Sequence, residues 1–111
     1  MGLWKQVFDR VQGKAPPGAK RSPAWRTVRR EYIKAFDSCE CCDRKGARYQ
    51  LEAHHVIPYH LAPDMELDFM NIMTMCRRCH LIIGHLGGWA RINPQVVAWS
   101  AFMLAAVRAA K

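Results

Sequence analysis

Acidic side chains are scarce in this sequence: nine Asp and Glu stand against 17 Lys and Arg, a formal net charge of +8 at pH 7 over 111 residues. A chain so biased points to a polyanionic partner, nucleic acid first. Long apolar runs are missing as well. The most apolar stretch, residues 96–110, is interrupted by Ser100 and Arg108 and falls short of the roughly 20 residues that a bilayer span needs, which argues against a membrane protein. The opening Met1-Gly2-Leu3-Trp4-Lys5 leads into no apolar signal segment, and Gln6 stands where a myristoylation signal wants Ser or Thr. A cytoplasmic location is therefore expected. The five cysteines are an odd number without an export signal, which argues against a disulfide framework and for metal or free thiols. Internal repeats and low-complexity tracts are also absent. With 50% of its residues apolar and 23% charged, the chain lacks the composition of disorder, and its length allows one hydrophobic core.

The basic charge is unevenly placed. Residues 1–34 carry nine cationic side chains against Asp9 and Glu31, while the rest of the chain has an excess of one. Leu3, Trp4, Val7, Phe8 and Val11 recur at helical spacing, and Pro16-Pro17-Gly18 lies in a basic connector, so residues 1–24 read as a short helix and linker. Ser22-Pro23 has the form of a helix start, after which Trp25, Val28, Tyr32 and Phe36 mark an apolar face. Arg26, Arg29, Arg30 and Lys34 crowd away from that face. Either they form a solvated surface or they meet phosphates, and the local charge favours phosphate contact. Residues 47–55 alternate as a strand, residues 63–68 read as a loop, and Cys76 to about Leu86 reads as a helix closed by Gly87-Gly88. A last helix is expected from Asn93-Pro94 to about Ala109, with Val97, Ala101, Leu104 and Ala105 on one side. Trp25, Trp89 and Trp99 are expected in the core, and His60 on the surface.

Cys39-x2-Cys42 and Cys76-x2-Cys79 form two pairs separated by 33 residues. Each knuckle can present two sulfurs to one point, so the four together suit a structural Zn²⁺. The alternative is a small core of buried free thiols. Cys41 lies between the first pair and reads as a spare thiol. In so short a chain the metal's affinity becomes folding free energy. The cysteine frame also sets the helix that carries His80, next to the last zinc ligand, against the strand that carries His54 and His55.

These residues, taken as Cys-x2-Cys, then Glu52-Ala53-His54-His55-Val56-Ile57-Pro58, then Asn71 through Cys79-His80, resemble the HNH endonucleases in their four-cysteine, zinc-bound form. The motif-bearing likeness covers about residues 39–88, and the run from Trp25 to Trp89 is similar to small HNH proteins of bacteria and their phages. The resemblance implies an α+β fold: a zinc-stapled ββα-metal (His-Me finger) core with flanking N- and C-terminal helices, the nuclease domain spanning residues 25–111. It implies hydrolysis of DNA phosphodiester bonds in a bacterial or phage-infected cell. His55 would be the general base, and Asn71 would take its Nδ1 proton, leaving Nε2 free. His54 and His80 would hold one catalytic divalent cation. Two imidazoles lean toward Mn²⁺, Ni²⁺, Zn²⁺ or Co²⁺, with Mg²⁺ not excluded by the family's range. Many relatives carry Asp where this chain has His54, so the site is nearer to the all-histidine sites of colicin-type nucleases. Their third His falls one turn after the second, where this chain has Gly84. His85 is about 140° around an ideal helix from His80, so it joins them only if the helix is distorted or ends there; otherwise it contacts phosphate. Arg77 and Arg78 flank the site as further DNA contacts. Glu66 and Asp68 read as loop caps. Two rival readings are a non-catalytic zinc-bound DNA-binding module and an accessory protein that meets phage packaging proteins.

Overall fold

The computed structural model describes residues 21–46 and 49–111. The expected N-terminal helix and most of the connector lie outside the described residues, as does the start of the expected strand at residues 47 and 48. Helix α1 spans Trp25–Ala35. Ser22 does not cap it: its Oγ accepts from the Ala24 N–H (3.1 Å) and its carbonyl from the Trp25 N–H (3.0 Å), so Ser22-Pro23 makes the turn ahead of the helix. Tyr32 is buried and its hydroxyl donates to Glu40 Oε2 (3.0 Å). Burial, and then the Glu40 carboxylate, push this phenol well above its ordinary range. Glu40 also accepts the Thr74 N–H, so one carboxylate joins α1 to the sheet.

After α1 the chain turns through the first cysteine knuckle, with Asp43 in the left-handed region (φ 70°). Strand β1 (Leu51–His55) starts later than expected, because the Tyr49 N–H closes a turn on the Lys45 carbonyl (3.1 Å). It pairs antiparallel with β2 (Ile72–Cys76), Leu51 opposite Cys76 and His55 opposite Ile72. No alternation marks β2 in the sequence, since all five of its residues are buried. Between the strands the chain makes two 3₁₀ turns, Pro63–Met65 and Phe69–Asn71. The core gathers Cys39, Cys41, Met73, Met75, Cys76 and Val96. Full burial of a side chain such as Met75 contributes roughly 1.5–3 kcal/mol.

A short helix α2 (Arg77–Cys79) follows β2 directly, its start capped by Cys76 Sγ, which accepts the Cys79 N–H (3.5 Å). It then opens into a π-helical turn, His80–Gly84, in place of the expected regular helix to Leu86. Leu86 (φ 52°) and Gly87 (φ 84°) end it in the left-handed region. Asn93, buried, accepts the Gln95 N–H (2.9 Å) and donates to the Ile83 carbonyl (2.8 Å), tying this turn to helix α3 (Val96–Ala109). The inward stripe of α3 is Val96 and Ser100, not the expected Val97 and Ala101. The helix is apolar almost all round, so periodicity could not choose a side. Trp89 and Trp99 are likewise half exposed (49% and 47%), outside the expected core. The far end of α3 returns to the knuckle, where Arg108 and Lys111 reach the Asp43 carboxylate at 3.5 and 3.0 Å. Among the described residues no helix is long and apolar enough to cross a membrane.

Candidate active site

Two clusters of ligand-type side chains flank the β1–β2 hairpin. In the first, Cys39, Cys42, Cys76 and Cys79 place their sulfurs within 4.8 Å of one another. Backbone N–H groups of Cys41 and Cys42 donate to Cys39 Sγ (3.4 Å each), an arrangement that stabilises charge on sulfur. As a bare thiol Cys39 is poorly suited to ionise: a hydrogen bond with the Cys79 thiol, and then burial, push it up to about 12. A dication at the centre reverses that preference, because thiolates are its ligands. Cys41 packs into the core, fully buried, and its sulfur is not part of this cluster.

In the second cluster, a ring nitrogen from each of His54, His80 and His85 lies within the same 4.8 Å limit. The π turn explains how His85 takes part. On an ideal α-helix a residue five positions on points well away from the first, whereas an i→i+5 turn returns it to nearly the same side. His85 Nε2 accordingly lies 3.2 Å from His80 Nε2. Gly84 is part of the arrangement, since a Cβ there would meet the His54 ring and His80 Cδ2 at 3.2 Å.

The outer nitrogens of these rings have fixed partners. His80 Nδ1–H donates to Glu52 Oε1 (2.9 Å), and His85 Nδ1–H donates to the Arg91 carbonyl (2.9 Å). With those protons assigned by the acceptors they face, both Nε2 atoms carry lone pairs directed at each other, a contact that a shared proton or a bound cation relieves. The donor set therefore fits a metal ion. Burial favours the neutral form of two of the rings: it pushes His54 down to about 3, with the neighbouring His80 and His85 adding to the effect, and lowers His80 against the pull of Glu52. Neutral imidazole is the ligand form.

His55 lies in the same cleft, buried, with Trp25 stacked on its ring at 4.3 Å between centroids. The expected bond to Asn71 is not made. His55 Nε2–H donates instead to the Glu66 carbonyl (2.8 Å), so Nδ1 is the nitrogen with the lone pair, opposite to the expectation. Arg21 Nη1–H donates to that Nδ1 at 3.1 Å. Burial chiefly, and the Arg21 charge less, lower the pKa of His55. Asn71 is used differently: buried, it accepts the Ile57 N–H (2.8 Å) and donates to the Ile57 and Met65 carbonyls (3.1 and 3.2 Å). It clamps the 56–71 loop and so sets the Glu66 carbonyl against His55. The Glu66 carboxylate caps the Ser22 N–H (3.1 Å) and Asp68 caps Met70 (2.9 Å), as loop caps.

Both His54 and His55 open onto a cleft of about 800 Å³ whose walls include Arg21, Arg29, Tyr59, Trp89 and Arg91. His60 also lines it, instead of lying on the open surface. Of the four cations singled out on α1, Arg29 lines the cleft; Arg26, Arg30 and Lys34 are exposed elsewhere on the helix. Arg77 pairs with Glu52 (2.9 Å) beside the Trp89 ring, and Arg78 is exposed. Glu52, Arg21 and the Glu66 carbonyl are contributors that spacing did not reveal. Only the alternation of β1, which carries Glu52 on a face shared with its neighbours two residues away, hinted at one of them. No curated protein and no solved structure matches this chain. Residues 39–85 match the model of the HNH family, described as HNH endonuclease.

Proposed function

Because residues 39–85 form an HNH endonuclease domain, and the chain is accordingly a metal-dependent endonuclease acting on DNA, we propose the following division of labour within it. His55 is the general base and uses Nδ1. The Glu66 carbonyl holds the Nε2 proton and stabilises the imidazolium that forms when Nδ1 takes a proton from water. Trp25 stacks on the ring and shields it from bulk solvent. Asn71 is a positioning residue, acting through the loop that carries Glu66. His54, His80 and His85 hold the catalytic divalent cation, with Glu52 and the Arg91 carbonyl orienting two of the rings. A cation bound there supplies Lewis-acid stabilisation of the charge that grows on the phosphate and the leaving oxygen. All-nitrogen donation favours Mn²⁺, Co²⁺, Ni²⁺ or Zn²⁺ over Mg²⁺. The four cysteines hold a structural Zn²⁺, and the cations of α1 with Arg77 and Arg78 grip duplex phosphates. A cytoplasmic setting in a bacterial or phage-infected cell completes the proposal.

The observation that carries it is the convergence of three imidazoles at one point with a fourth, His55, in the same cleft, whose Nε2–H is held by the Glu66 carbonyl so that Nδ1 is its lone-pair nitrogen. The test is nicking of supercoiled plasmid with divalent metal and with chelator. His55→Ala should lower the rate by roughly 10²- to 10⁴-fold while zinc content and DNA affinity stay near wild type. Full activity in that folded variant would remove His55 from the role.

A further inference from the structure

The base of this site is covered. With Nε2–H committed to Glu66, the free lone pair of His55 is on Nδ1, and the Arg21 guanidinium occupies it at 3.1 Å. A nitrogen so covered takes no proton from water. Yet Arg21 is held there lightly. It is exposed, and among the described residues no carboxylate pairs with it. Its guanidinium carbon lies 4.7 Å from the Tyr59 ring centroid and 5.6 Å from that of Trp25, two aromatic faces along which a planar cation can swing. A neutral imidazole uses one of its five N–H donors, while a phosphodiester offers two anionic oxygens that match the guanidinium fork.

We infer that Arg21 is a phosphate clamp that also keeps the base closed: it covers His55 Nδ1 until a nucleic-acid phosphate enters the cleft, then transfers its hydrogen bonds to that phosphate and uncovers the nitrogen. The inference rests on the nuclease reading above and adds a substrate-contacting residue to it. It couples activation of water to the arrival of the group to be attacked. The partner it recognises is the phosphodiester itself, so the clamp is indifferent to base sequence.

The test compares Arg21→Ala, Arg21→Lys and Arg21→Gln with wild type in two readouts. In cleavage under saturating metal, Arg21→Ala should lower kcat/KM by about 100-fold, the scale for removing one preorganised donor to developing charge. Added guanidinium ion should restore part of the loss, and Arg21→Lys should recover binding better than kcat because an ammonium lacks the fork. In binding to duplex DNA with chelator present, the slope of log affinity against log salt should fall by about 0.9 for both neutral variants. Should Arg21→Ala fail to fold, Arg21→Gln carries the same comparison. An Arg21→Ala protein that cuts as fast as wild type or faster, or an unchanged salt slope, overturns the clamp and leaves the nuclease reading intact. A wild type that cuts no DNA with any divalent metal overturns both.

Discussion

The two ligand clusters sit on the same hairpin and are built in opposite ways. The cysteine cluster is closed: its sulfurs are drawn from two knuckles, backed by N–H groups, and packed against the Met73, Met75 and Val96 core. The histidine cluster is open on one side to the cleft, and its rings are aimed from behind by Glu52 and the Arg91 carbonyl. Four protein ligands with no free position describe a structural site, and three with an open face describe a site that can accept substrate or water. The contrast explains why a chain this short carries both. The first supplies order that its small core cannot, and the second depends on the register the first imposes, since Cys76 ends the same strand whose partner ends in His54 and His55.

That dependence makes the clusters unequal when broken. Cys76→Ser should have the largest effect, because structural zinc contributes on the order of 10 kcal/mol to small zinc-bound modules and Cys76 also caps α2. Metal content and thermal melting should show loss of bound zinc and of the cooperative transition, with both clusters gone together. Glu52→Gln should be far milder. Neutralising the acceptor of His80 Nδ1–H weakens the orientation and basicity of one ring, for which losses of roughly 10- to 100-fold in metal affinity are typical. Competition with a calibrated chelator should show weaker binding at the histidine cluster and an unchanged, tightly held zinc. A fall in both affinities would mean that the clusters are not separable.

The parts of the fold carried by short local patterns were legible in the sequence: the Cys-x2-Cys pairs, the α1 face and the existence of the last helix. What was not legible depended on through-space pairing. Glu52 acquires its role only when the hairpin register brings it to His80. Asn71 was singled out, but its partner was misread, because nothing in the spacing shows that the 56–71 loop returns to present the Glu66 carbonyl to His55. The π turn was illegible for a related reason: His80 and His85 share a side only after the helix has widened by one residue, and Leu-Ile-Ile-Gly carries no local signal for that. Trp89 and Trp99 looked like core because they are large and apolar, yet a core built around Cys39, Cys41, Cys76, Met73, Met75 and Val96 leaves them half exposed.

His85 separates the account from a simple two-ligand alternative, and its replacement is the most direct test of an open three-histidine centre. The measurement is the divalent-metal concentration at half-maximal plasmid nicking for His85→Ala, made on protein shown to retain its zinc. The account predicts a midpoint displaced to higher metal, further than in Glu52→Gln, with activity recovered in part at high concentration and melting unchanged. A His85→Ala midpoint equal to that of wild type would contradict it.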